Sequence, residues 1–238
     1  MRKIPNKMSE IEEVSKAVAE TSKFGTKSVE TTEKILTFLA KVFKEPIEQT
    51  SGMIGDRLKF IRWKRQVRIV DEVNKILEQK NITETRAVPP KFMIPILENA
   101  TLEEDDNLQD IWIKLISNSM NPNFNSEIRY AYIEIIKSIN PIDARVLKEF
   151  YEALTRQNLN LGNITAHSVP KEELSRALKI SSEECIISIY NLFRVQCLAP
   201  AILTGGAKLG SEPITIYKGA DRVTMTPLGR NFVEACMK

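Results

Sequence analysis

The chain has 238 residues, 42% of them hydrophobic and 27% charged, with a formal net charge of +3. That is long enough to bury a substantial core and ordinary for a globular protein, which excludes a low-complexity or fibrous chain. No apolar run reaches the roughly 20 residues of a membrane-spanning helix, no secretory signal opens the sequence, and so small a net charge does not by itself argue for nucleic acid; a soluble, cytoplasmic protein is expected.

In chain order, residues 1–50 read as an amphipathic helical extension, with helices over 8–22 and 27–44 broken at Phe24-Gly25-Thr26. In the second of these, Ile35, Leu36, Leu39, Val42 and Phe43 recur at spacings of three and four, an apolar stripe on one helix face. The stripe is a candidate surface for self-association, for a partner protein or for a membrane surface. Residues 51–139 read as a helical domain. Its longest helix, 52–79, carries Arg57, Lys59, Arg62, Lys64, Arg65 and Arg68 interleaved with Phe60 and Trp63. Six bases against Asp56 alone make Arg57, Arg62, Lys64, Arg65 and Arg68 candidate phosphate or anion ligands. The stretch Glu98–Asp110 holds six acids and no base, and intramolecular pairing of the two blocks is the plainer expectation.

Asn81 ends the long helix, and prolines at 89, 90 and 95 predict a connector over 82–95 with a short apolar element. Thr101-Leu102-Glu103-Glu104 fits a capping box, predicting a helix to Ser119. Helix capping, rather than a metal site, accounts for the acidic run. A helix over 126–138 follows, and Asn140-Pro141 opens another through Leu154.

Residues 140–238 read as a winged-helix-like domain. After a polar loop at 157–168 come helices from Pro170 to Leu178 and from Ser181 or Ser182 to Val195. Strands over Ala201–Thr204, Ile214–Lys218 and Arg222–Thr226 lead to a last helix opened by Thr226-Pro227. The fold class expected is mainly α with a small β wing. Lys208, Lys218 and Arg222 are candidate wing contacts. The helix that would read DNA begins with Glu183 and Glu184 and has only Arg194 as a base, where base readout calls for Arg, Lys, Asn or Gln. DNA binding is therefore disfavoured against protein interaction.

Nothing in the sequence signals catalysis. His167 is the only histidine and lies in the polar loop, without the orienting partner or oxyanion hole a triad needs. Gly205-Gly206 lacks the following Lys-Ser or Lys-Thr of a phosphate loop. Cys185, Cys197 and Cys236 are an odd number with wide spacing, so reduced buried thiols are expected rather than a disulfide or zinc framework. No enzyme, cofactor, metal or small-molecule substrate is expected.

Three patterns carry a family resemblance: Arg62-Trp63-Lys64; Leu102-Glu103-Glu104-Asp105 with Leu108-Gln109 and Trp112; and Asn140-Pro141-Ile142-Asp143-Ala144. With the tail from Val223 to Cys236, they make residues 52–237 similar to the bacterial family Abi-alpha, abortive infection alpha. The resemblance implies a role in phage defence and supplies no catalytic residue.

Overall fold

The computed structural model describes residues 27–44, 63–156, 167–204, 214–216 and 221–238, without the side chains of residues 27–32, 63–64, 202–204 and 214–216. The expected helix 8–22 and the residues Arg57, Lys59, Phe60, Arg62, Lys208 and Lys218 lie outside them, as do the side chains of Trp63 and Lys64. The described part is mainly helical, with one three-stranded and one two-stranded sheet. It divides into two compact units. One runs to Leu102 and adds Ser119–Phe124; the other is Glu103–Asn118 with Asn125–Lys238.

In the first unit, α1 (Lys27–Phe43) packs against α2 (Trp63–Gln79). Ile35, Phe38, Leu39, Val42 and Phe43 of α1 are buried, as are Ile69, Val70, Val73 and Leu77 of α2. Lys34 of α1 forms an ion pair with Asp71 of α2. Asn81 takes a left-handed φ of 53°, and the Ile82 N–H donates to the Leu77 carbonyl at 2.9 Å. This is how a short polar residue ends a helix without strain. The Val88 N–H donates to the Val42 carbonyl at 3.0 Å, tying the connector to the end of α1.

The next helix departs from expectation. α3 spans Pro90–Leu102 with Pro95 inside it, so the connector ends at Pro89. Pro90 sits at the first helical position, where its missing N–H costs nothing. Pro95 does remove one helical donor, but Met93, Ile96, Leu97 and Ala100 are buried around it, and that burial outweighs the roughly 3 kcal/mol an interior proline costs. Thr101 is accordingly no N-cap. Its hydroxyl is buried in the last turn of α3 and donates back to the carbonyls of Leu97 at 2.8 Å and Glu98 at 2.9 Å.

The cap of α4 (Asp106–Met120) is Asp105 instead. Its Oδ1 accepts from the N–H groups of Asn107 at 2.9 Å and Leu108 at 3.0 Å. The Glu103 carboxylate accepts from the Asp105 N–H at 3.0 Å. The acidic run does serve helix capping, one turn later than the capping-box pattern predicts.

The second unit continues with α5 (Ala131–Ser138), which starts later than the expected 126, and α6 (Pro141–Arg156). Then come β1 (Ser168–Pro170), α7 (Lys171–Leu178), α8 (Ser182–Arg194), β2 (Leu198–Pro200), β3 (Ile202–Thr204), β4 (Ile214–Ile216), β5 (Arg222–Met225) and α9 (Pro227–Cys236). The three-stranded sheet is antiparallel in the order β1-β5-β2, with Val169 opposite Val223 and Leu198 opposite Met225. β3 and β4 pair separately, with Leu203 opposite Thr215. Helices α6, α7 and α8 pack on one another, and α8 also packs on β2. Val146, Phe150, Leu174, Ile189, Leu192 and Phe232 form part of the buried core.

α8 opens on a complete capping box. Ser181 Oγ accepts from the Glu184 N–H, and the Glu184 carboxylate accepts from the Ser181 N–H, both at 3.1 Å. α9 opens on Thr226, whose Oγ1 accepts from the Gly229 N–H at 2.9 Å and donates to the Gln196 carbonyl at 2.6 Å.

Candidate interaction surface

The structure sorts the residues marked in the sequence into those used inside the fold and those left outside it. Ile35, Leu39, Val42 and Phe43 are buried within the chain and Leu36 is half-buried. The face expected to need a second copy, a partner or a membrane is thus covered by the chain itself, largely by α2. The reason is that α1 belongs to the first unit rather than standing outside it as an extension. Arg65 and Arg68 are half-buried on α2. They belong to the first unit, whereas the acids Glu103–Asp106 belong to the second.

Arg222 is half-buried and tied to β1. Its Nε donates to Ser168 Oγ and its guanidinium to the Ser168 carbonyl, both at 3.2 Å. Arg194, the one base of α8, is likewise engaged. It donates to the Ser138 carbonyl at the end of α5 at 3.0 Å and to Asn191 Oδ1 at 2.9 Å. Asn191 in turn donates to the Ser138 carbonyl at 3.0 Å and to Asp143 Oδ2 at 2.6 Å. Asp143 is 2% exposed and also accepts from the Asn140 N–H at 2.8 Å. The Asn140–Ala144 motif is therefore a junction joining the start of α6 to the end of α5 and the flank of α8. His167 contributes its carbonyl, which accepts from Thr224 Oγ1 at 2.9 Å.

The three cysteines are free and buried, as their spacing implied. Burial pushes the Cys185 thiol up, the Cys197 thiol up to about 12, and Cys236 well above the ordinary range, with Cys197 adding to the last. Burial also raises the Tyr132 hydroxyl to about 12. All four groups are neutral in the folded state and ionise at lower pH once unfolded. The stability they confer is complete below the ordinary thiol value of 9.0 and is lost as pH rises toward about 12. Two results are expected. Native protein at pH 8 leaves all its thiols unreacted with a chromogenic disulfide until denaturant is added, and far-ultraviolet circular dichroism shows alkaline unfolding within that window. A thiol that reacts at once in native protein would contradict this burial.

Outside the fold lies a feature that the sequence reading did not mark. Ile187 is 63% exposed and Tyr190 is 52% exposed on α8. Half-buried Ile186 and Phe193 flank them, and the Tyr190 and Phe193 rings meet edge to face with centroids 5.7 Å apart. Helical spacing offered the signal. Glu183, Ile187, Tyr190 and Arg194 recur at i, i+4, i+7 and i+11 and share one face, so the polar residues at its ends mark the apolar ones between them as solvent-facing. The outer stripe of α8 is apolar in its middle and acidic at its start, with Glu183 and Glu184 exposed there.

No helix among the described residues is long and apolar enough to cross a membrane. No group of three or more His, Cys, Asp or Glu among them could hold a metal ion. Neither a curated protein nor a solved structure matches the chain. A family model described as abortive infection alpha matches residues 64–236, a span holding both the Asn140–Ala144 junction and the outer stripe of α8, and the chain belongs to that family.

Proposed function

We propose that the chain serves phage defence by abortive infection from the cytoplasm, without catalysing a reaction, and that residues 140–238, within its second unit, form a winged helix whose α8 docks a partner protein rather than DNA. The element order α6, β1, α7, α8, β2, β5 supports the winged-helix reading, with β5 central in an antiparallel sheet and a separate β3–β4 pair falling between β2 and β5 in sequence, where a wing ribbon would lie. The observation that carries the choice of partner is the outer stripe of α8. In a DNA-reading winged helix this face meets base edges and phosphates; here it presents Ile187 and Tyr190 behind two carboxylates. Among the described residues, the bases of α8 and β5, Arg194 and Arg222, hold carbonyls of α5 and β1. Exposed tyrosine beside aliphatic side chains is the composition of a protein interface centre.

The test is a phage plaque assay on cells carrying the gene with its neighbouring genes. The double variant Ile187→Asp/Tyr190→Ala should raise plaque counts to those of the empty vector, while the chain accumulates to normal levels. The purified protein should bind duplex DNA only weakly and without sequence preference at about 150 mM salt, with affinity falling steeply as salt rises. Nanomolar, sequence-selective binding lost on changing Arg194 would overturn the reading.

A further inference from the structure

We infer that the occupant of the α8 face is a cationic amphipathic segment of a partner protein, laid along Ile187 and Tyr190 with its basic residues against the carboxylates at the start of α8. The inference rests on the protein-docking reading and adds the chemistry of what docks. Two carboxylates stand at the start of the apolar stripe, and two more lie beside the first turn of α8. Glu183 and Glu184 stand one turn before Ile187 on α8 itself. The Cys185 thiol lies 3.7 Å from the Lys171 carbonyl, which brings the first turn of α7, with Glu172, beside the first turn of α8. Asp221 reaches the same place from the other side, its carboxylate accepting from Lys171 Nζ at 2.6 Å.

Among the described residues, the base beside these carboxylates is Lys171. Its ammonium is shared between Asp221 at 2.6 Å and Glu172 at 3.9 Å and its side chain is only 19% exposed. Of the other described bases, Arg176 and Lys179 stand at the opposite end of α7, Arg222 is bonded to Ser168, and Arg194 closes the far end of the stripe, bonded to the Ser138 carbonyl. A nucleic acid or an anionic lipid surface would meet like charge at the start of α8. An acidic peptide would too, whereas an apolar peptide with basic edges satisfies both features at once. Two exposed large side chains three residues apart, with Phe193 and Ile186 beside them, match the i, i+3, i+4, i+7 anchors by which one helix lies on another.

The test uses the full chain and three fluorescein-labelled peptides of ~18 residues, long enough to form a helix of about five turns. One has leucine and lysine in amphipathic spacing, one has leucine and glutamate in the same spacing, and one is the leucine–lysine composition scrambled. Fluorescence anisotropy is read at low and at physiological salt. The leucine–lysine peptide should bind, with the other two at least about tenfold weaker, a difference of about 1.4 kcal/mol. Ile187→Asp/Tyr190→Ala should abolish binding, Glu183→Lys should weaken it several-fold at low salt, and Leu102→Ala, at an exposed site in the other unit, should leave it unchanged. Ile187 and Tyr190 are exposed, so these variants should melt as the parent does.

Equal or tighter binding of the leucine–glutamate peptide, lost on Ile187→Asp, would overturn the cationic partner while leaving protein docking standing. Binding of no peptide, or binding indifferent to Ile187→Asp, overturns the inference. A halving of mass by light scattering in the Ile187→Asp variant would assign the face to a second copy and overturn it equally. Duplex DNA captured by the parent and lost in the double variant would overturn both this inference and the docking reading.

Discussion

Gly229→Ala is expected to destabilise the chain by about 3 kcal/mol, the upper end of what overpacking costs, and to lower Tm by roughly 6–12 °C in a calorimetric or dichroism melt. The sign is the opposite of what helix propensity gives. Gly229 lies inside α9, where alanine is ordinarily favoured by about 1 kcal/mol. A methyl group at this position would stand 2.1 Å from the Cys197 carbonyl oxygen and 2.8 Å from its carbon, both backbone atoms with no side-chain freedom to yield. The approach is close because α9 is bolted to that strand entry. The Thr226 N–H donates to the Cys197 carbonyl at 3.1 Å, and Thr226 Oγ1 reaches the Gln196 carbonyl at 2.6 Å. Relief by moving α9 would break those bonds and disturb Phe232, Val233 and Cys236, all buried. A variant that melts at or above the parent's temperature would show that α9 shifts freely, against this geometry.

Asp143→Ala is expected to cost about 2–4 kcal/mol, because two hydrogen bonds to a buried carboxylate are lost, each worth roughly 1.5–3 kcal/mol before partial replacement by water. The Asn191 amide keeps the Ser138 carbonyl at 3.0 Å but loses its shorter partner at 2.6 Å. The exposed Asn140 N–H can turn to solvent, which holds the loss below the sum. The discriminating measurement is a double-mutant cycle with Asn191→Ala in chemical denaturation. Contact between the two side chains predicts that the double variant is less destabilised than the sum of the singles, by about 1 kcal/mol or more. Strict additivity would mean that Asp143 acts only through Asn140 as a helix-start group.

These two sites bear on what a linear reading could and could not recover. The residues of the family patterns were visible, and so were the helices they sit on; their purpose was not. Asn140-Pro141 announced a helix start from local chemistry alone, yet the tie from Asp143 to Asn191 spans 48 residues and no local pattern encodes it. Thr101 misled because a Thr-x-x-Glu string is compatible with a helix start or a helix end. The choice fell to the buried side chains of α3, which carried that helix through Pro95 and past the Thr. β1 carries no local signal, because its three residues hold a single buried apolar side chain, Val169, and exist as a strand only by pairing with β5. The α8 face escaped notice for a different reason. Isoleucine, tyrosine and phenylalanine in close succession look like core, and only the helical projection separates Ile187 and Tyr190 from buried Ile189 and Leu192.

The C-terminal helix is gripped from a distant part of the chain. Asn118 Nδ2 donates to the Ala235 carbonyl at 2.8 Å, 117 residues away, and Lys114 Nζ to the Met237 carbonyl at 2.7 Å, 123 residues away. Ribosomes add roughly 5–20 residues per second, so α4 waits roughly 6–25 s for acceptors that have not yet been made. During that interval these two bonds are unmade, and closure of so long a loop carries its full entropic cost before they repay it. The second unit therefore cannot be completed until Ala235 and Met237 have been made, and a ribosome stalled before the codon for Ala235 yields a chain in which α4 lacks both of these ties to α9 and the residue after it.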